Sequence, residues 1–149
     1  MSRWGGEIRR AGAQDADGVA ELAAELATSF AFDPDKFLAN YPVLLANEDV
    51  CLLVAVERQQ HAEPRHWGYL LGFRHLTFFA NGPVGWVEEV AVHSDARRLG
   101  VGAALMSSFE DWAAASGAPM VALATRRAAP FYLALGYEES AVYFRKKLS

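Results

Sequence analysis

The sequence predicts an α/β domain, a sheet covered by helices on both faces, and two patterns carry that reading. Val50 to Glu57 is a near-continuous apolar run, as in a strand buried on both sides. Leu105, Phe109, Trp112 and Ala113 fall at i, i+4, i+7 and i+8, the apolar stripe of a helix. Segments of these two periods alternate along the chain, so helices fall between strands. At 149 residues the chain fits one domain, 1–149, long enough to bury a sizeable core.

Each element has a local signal. Glu7 to Ala11 reads as a short first strand. Asp15 to Ala27 carries Val19, Leu22, Ala23 and Leu26 at helical spacing. Asp33-Pro34 has the form of an N-cap followed by proline at the first helical position. It opens a helix over Asp35 to Leu45, which Pro42 should kink or break. After the Val50 strand, Gln59 to Arg65 is polar, contains Pro64 and reads as a turn or loop. Trp67 to Phe79 is a long strand, Asn81-Gly82-Pro83 a turn, and Trp86 to Val92 the next strand. The Leu105 helix ends at Gly117, where a C-cap glycine belongs. Met120 to Ala124 is a strand, Ala128 to Leu135 a short helix stopped by Gly136, and Val142 to Leu148 a closing strand.

Composition excludes several classes. Apolar residues make up 52% and charged residues 21%, as in an ordinary globular protein. A net charge of −4 argues against nucleic acid or an anionic membrane as partner. The start, Met1 to Gly6, lacks the apolar run of a signal peptide, and no stretch reads as a transmembrane helix. Cys51 is the lone cysteine and cannot form an intrachain disulfide; it reads as a core residue. Together these features predict a cytoplasmic protein. His61, His66, His75 and His93 show no metal-ligand spacing, so no metal is expected.

The informative stretch runs from Val90 to Leu105. A strand ends at Val92, a loop crosses, and Gly100 and Gly102 open a helix. The first N–H groups of a helix lack intrahelical partners and carry the positive end of its dipole. Glycines there allow close backbone approach, so the turn can cradle a phosphate, with Arg97 and Arg98 adding charge-assisted hydrogen bonds. An ordinary helix start beside two solvated arginines would look the same. The spacing is neither the dinucleotide fingerprint nor a Walker loop.

Arg97-Arg98-Leu99-Gly100-Val101-Gly102 resembles the Arg/Gln-x-x-Gly-x-Gly/Ala signature of the GNAT acetyltransferase superfamily. Val90-Ala91-Val92-His93 resembles the end of that family's fourth strand. Ala128 to Tyr137 resembles its second motif, a short helix ending at a glycine followed by an aromatic. The resemblance implies a mixed, mostly antiparallel sheet of six to seven strands, splayed between strands 4 and 5. It implies acetyl-coenzyme A as co-substrate, its pyrophosphate held by backbone amides of Arg98, Leu99, Gly100, Val101, Gly102 and Ala103, with Arg97 at the loop entrance. The pantetheine arm would pair with the exposed backbone of Val90, Ala91 and Val92. Thr125 stands where many members carry asparagine, and its shorter side chain weakens that expected contact. Leu99 departs from the residue often seen there, with little expected consequence. Family members are often dimers, so the resemblance leaves a homodimer open, while the sequence itself does not give the oligomeric state.

The resemblance makes Tyr132 the general acid that protonates the departing thiolate; a packed aromatic beside Phe131 is the plainer reading. An unperturbed tyrosine titrates near 10 and a thiol near 8.5, so the transfer is uphill by roughly 2 kcal/mol in water. Tyr132 helps only if the thiolate is more basic than in water or a helix dipole lowers the tyrosine. Glu88 and Glu89 interrupt an otherwise apolar strand. One of them is a candidate base for the acceptor amine, acting through a raised pKa or an ordered water; a salt bridge to Arg74 is the alternative. Successive side chains alternate faces, so at most one enters a given cleft unless a bulge intervenes. Trp86, Phe78 and Phe79 flank a turn and either line the acceptor pocket or pack in the core. The acceptor, a small-molecule or peptide amine, should be shaped by residues 27–41 and the turn 139–141. A catalytically silent acyl-coenzyme A sensor, or an interaction module without cofactor, are the rival readings.

Overall fold

Local capping and periodicity set most elements where the sequence predicts them. The computed structural model describes residues 4–26 and 28–149. The order is β1 (Glu7–Arg10), α1 (Ala16–Glu25), α2 (Pro34–Ala46), β2 (Val50–Gln59), β3 (Ala62–Thr77), β4 (Gly82–Val92), α3 (Val101–Ala115), β5 (Val121–Leu123) and α4 (Ala129–Ala134). The Asp33 side chain caps α2 through the N–H groups of Asp35 and Lys36. Pro42 does not break α2, which continues through it to Ala46. The missing N–H leaves the Leu38 carbonyl short of a donor, and Leu38 is exposed, so water can serve it. Ala27, the end of the predicted first helix, lies outside the described residues.

The sheet has five strands in the order β1-β2-β3-β4-β5. The first four pair antiparallel; β5 pairs parallel to β4. Of the predicted turn or loop at Gln59 to Arg65, only Gln60-His61 turns, as a tight hairpin, and β3 is already under way at Ala62. Its Pro64 sits where the register shifts, so the absent donor costs no regular ladder bond. The predicted closing strand Val142 to Leu148 is not in the sheet, which is why the expected six to seven strands become five. Residues 138–149 carry neither helix nor strand. Strand-favouring residues make a strand only where an edge accepts them, and that segment rests elsewhere. Arg145 donates to Ser29 Oγ at 2.8 Å, and Lys147 Nζ lies 5.4 Å from the Phe30 ring centre.

Helices cover both faces. Val19, Leu22 and Tyr41 from α1 and α2 pack on Leu52, Val54, Tyr69 and Leu71. Val101, Leu105, Met106 and Phe109 from α3 pack on Cys51, Leu53, Leu70 and Val87. Cys51 is fully buried, as expected of a core residue. At Gly72 a Cβ would lie 2.2 Å from the Phe109 ring, so α3 can sit this close only because that position is glycine. Among the described residues, no helix is long and apolar enough to cross a membrane.

One buried charge fixes the start of α1. Asp15 is 1% exposed. Arg9 donates to both its carboxylate oxygens at 2.7 and 2.9 Å, and the Gly12 N–H donates at 2.8 Å. His66 Nε2 is 2.8 Å from Oδ1. Burial by itself raises the Asp15 pKa, but the bonds from Arg9, Gly12 and His66 outweigh it and hold the group at about 2. A depressed carboxylate contributes stability that is complete at neutral pH, declines below about 4 and is gone as pH falls through about 2. The shift from 3.8 to about 2 corresponds to roughly 2 kcal/mol. Asp15→Asn is therefore expected to lose at least that much at pH 7, and to show a flatter fall in stability between pH 4 and 2 than the parent. Denaturant melts across that range check this; parallel curves would reject it.

Candidate active site

β4 outruns its neighbour. Gly85, Trp86 and Val87 pair with Val121, Ala122 and Leu123 of β5, and pairing stops there. On its other side β4 stays paired with β3 as far as Val92. From Glu88 to Val92 the edge toward β5 is therefore open, with alternate N–H and C=O groups facing the gap. This is the splay expected between strands 4 and 5. Val90, Ala91 and Val92 all lie on the open stretch.

A bulge decides which glutamate faces where. Leu71 pairs with Glu89 but Gly72 with Val87, so Glu88 is the extra residue. Glu88 points to solvent and is exposed. The slip turns Glu89 onto the α1/α2 face, where it lines a cleft of about 480 Å³ together with Tyr69, Leu71, Leu52, Lys36 and Phe30. Its Oε1 accepts a hydrogen bond from the Tyr69 hydroxyl at 2.7 Å. Burial, then the nearby Glu89 charge and bond, raise the Tyr69 pKa, so its hydroxyl stays a donor. Tyr69 was not singled out from sequence; a tyrosine in an apolar strand, whose hydroxyl must find a partner when buried, was the available signal. Arg74 pairs with Asp49 at 3.0 Å rather than with either glutamate.

At the far end of β4 the chain turns through a 3-10 turn, Ser94–Ala96, where His93 Nδ1 accepts from the Asp95 N–H at 3.1 Å. Arg98 and Gly100 then take left-handed backbone conformations, φ 66° and 90°. Gly100 is the N-cap of α3, and no side chain caps that helix. The Ala104 N–H is bonded to the Gly100 carbonyl at 3.0 Å, so the N–H groups of Val101, Gly102 and Ala103 precede the ladder. Arg97 and Arg98 are exposed, and Leu99 packs against the core. A Cβ on Gly102 would lie 3.1 Å from Phe131 Cζ and 3.8 Å from Val92 Cγ2. That glycine draws the start of α3, the end of β4 and α4 together.

Tyr132 on α4 is half-buried, with Phe131 at 4.9 Å and Tyr137 at 5.9 Å between ring centres. Among the described residues its hydroxyl has no hydrogen-bond partner, whereas Tyr137 donates to Glu110 at 2.6 Å. Burial raises the Tyr132 pKa, so a lowering helix dipole is not what tunes it. In the core beneath α3, burial outweighs Arg10 and pushes the Cys51 thiol up to about 11. Thr125 lies in the loop after β5, and its Oγ1 accepts from the Ala128 N–H at 3.1 Å. Phe78 and Phe79 neither pack in the core nor line the cleft. They are exposed at the hairpin end where Thr77 pairs with Gly82, the opposite end from Val92. Residues 139–141 are exposed and do not line the cleft, whereas residues 28–41 supply much of its wall.

A sheet opened beside an uncapped helix start, with a carboxylate cleft on its other face, sets an unpaired strand edge and free helix amides close to an ionisable group. A profile of the acetyltransferase (GNAT) family matches residues 19–137, and the chain belongs to that family. It is an N-acetyltransferase. An aminoalkylphosphonate N-acetyltransferase from Salmonella typhimurium is 28% identical over 156 residues, covering 95% of this chain and 91% of the relative. A transcriptional regulator from Bacillus halodurans has a TM-score of 0.85 at 20% identity, covering 96% of this chain and 99% of that one. An aminoglycoside N-acetyltransferase solved with coenzyme A has a TM-score of 0.80 at 21% identity, with both chains covered fully, at 100%. Likeness at that identity shows the fold alone.

Proposed function

We propose that the protein transfers the acetyl group of acetyl-coenzyme A directly to a primary amine bound in the cleft beside Glu89. The observation that carries this is the open edge of β4, with uncapped α3 amides at one end and the Glu89 cleft on the opposite face. These features fit the co-substrate: N–H groups of Val101, Gly102 and Ala103 for the pyrophosphate, with Arg98, Leu99, Gly100 and the Arg97 guanidinium around it, and Val90 to Val92 for the pantetheine arm. Acetyl-coenzyme A supplies an acetyl thioester. A β4 backbone N–H stabilises charge developing on the carbonyl oxygen. Glu89, positioned by Tyr69, accepts a proton from the amine, directly or through water, and Glu88, out in solvent, takes no part. Tyr132 donates its phenolic proton to sulfur. Thr125, occupied by Ala128, serves the α4 turn more than the arm. The Salmonella relative, whose name says it acetylates aminoalkylphosphonates, supports an amine acceptor.

The test is thiol release from acetyl-coenzyme A across an amine panel, with Glu89→Gln alongside. Acetylated product from at least one primary amine, and a Glu89→Gln rate lower by about 10²-fold or more, are expected. Coenzyme A binding with no turnover of any amine would point to a silent sensor instead.

A further inference from the structure

The short helix α4 has to be held from outside. A helix of six residues is marginal on its own. No side chain caps its start, and none of its residues is fully buried. It nonetheless carries Tyr132, the proton donor assigned above, whose hydroxyl has to be aimed. Two features after α4 do the holding. Gly136 takes a left-handed backbone, φ 95°, and the Tyr137 N–H donates to the Tyr132 carbonyl at 3.1 Å. That reversal brings the Tyr137 ring back against the Tyr132 ring, 5.9 Å between centres and 73° between planes. The Tyr137 hydroxyl in turn donates to Glu110 Oε2 at 2.6 Å, the length of a bond to an ionised acceptor. Burial, then that bond, raises the Tyr137 pKa, so its hydroxyl stays a donor.

Glu110 lies on α3, next to the buried Phe109. It is half-buried and, among the described residues, forms no ion pair. A partly desolvated carboxylate without a cation needs hydrogen-bond donors, and Tyr137 supplies one. The same helix opens with the free amides of Val101, Gly102 and Ala103. The chain Glu110, Tyr137, Tyr132 therefore refers the phenol to the rigid element that carries the pyrophosphate cradle. We propose that Glu110 and Tyr137 are positioning residues for Tyr132: the carboxylate fixes the Tyr137 phenol, and the Tyr137 ring fixes where the Tyr132 hydroxyl stands. Neither gives or takes the transferred proton. This rests on the proton-donor reading of Tyr132 and adds the groups that aim it. A bond that merely fastened the C-terminal segment to α3 would be indifferent to which group stands at position 132.

A cycle of variants tests it. Tyr137→Phe, which removes one oxygen, and Glu110→Ala should each lower kcat about tenfold for any amine that is turned over. Coenzyme A affinity by calorimetry should stay within about twofold in both. Glu110→Gln, whose amide oxygen still accepts, should recover most of the loss. Made on top of Tyr132→Phe, neither Tyr137→Phe nor Glu110→Ala should lower kcat by more than about a further twofold, because the hydroxyl they aim is gone. A full additional loss in that background, a parental kcat in both single variants, or no recovery by Glu110→Gln overturns this proposal and leaves amine acetylation standing. A parental kcat in Tyr132→Phe, or no turnover of any amine, overturns the reading beneath it and takes this one with it.

Discussion

Tyr132→Phe is expected to lower kcat by about 10²-fold or more while coenzyme A affinity stays within about twofold. The substitution removes one oxygen and leaves the ring, so the packing against Phe131 and Tyr137 survives. What is lost is a hydroxyl with no other partner among the described residues. Burial raises its pKa, which makes it a weaker acid but keeps it protonated through a wider range. The activity limb due to Tyr132 should therefore fall above pH 10, not below. The transfer comes near balance only if burial raises the pKa of the sulfur it serves as well. The phenylalanine variant should lack that limb above pH 10 while keeping the parent's profile below it, at its lower rate. Equal losses in kcat and coenzyme A affinity would make Tyr132 a packing residue rather than a proton donor.

The parts of the site carried by one contiguous stretch were legible in the sequence. Gly100 and Gly102 mark the loop-to-helix turn by themselves, and the structure puts a left-handed backbone at Gly100 and a close contact at Gly102. The α3 stripe of Leu105, Phe109 and Ala113 is buried, as its 3.6-residue period requires. What depends on strand register was not legible. Alternation puts Glu88 and Glu89 on opposite faces, but only the bulge against Leu71 and Gly72 says which enters the cleft. The Tyr69–Glu89 bond joins residues 20 apart through that same register. Gly72 reads as a defect in a strand until Phe109 is placed above it. Val142 to Leu148 begins with the β-branched and aromatic residues a strand favours, yet such a run names no partner, and β5, only three residues long, does not pair with it.

Gly100→Asp should weaken coenzyme A binding by about 10²-fold or more, and the loss should exceed that in Gly100→Ala. Three effects compete at this position. Gly100 sits at φ 90°, ψ 8°, where any Cβ is strained by about 1–2 kcal/mol, and both variants bear that cost. Aspartate is otherwise a favoured N-cap, and its carboxylate can accept from the free α3 N–H groups, offsetting part of the strain in the unliganded protein. That same bond occupies the amides assigned to pyrophosphate. It also sets a negative charge against another at contact distance, worth about 4 kcal/mol at an effective dielectric of 20. Electrostatics therefore dominates for ligand binding, while strain and capping nearly cancel for folding. Thermal melts without ligand should place the two variants within a few degrees of each other, and calorimetry with coenzyme A should separate them widely. Equal affinities for alanine and aspartate variants would leave only steric strain at this turn. Parental affinity in both would mean that the pyrophosphate is held elsewhere.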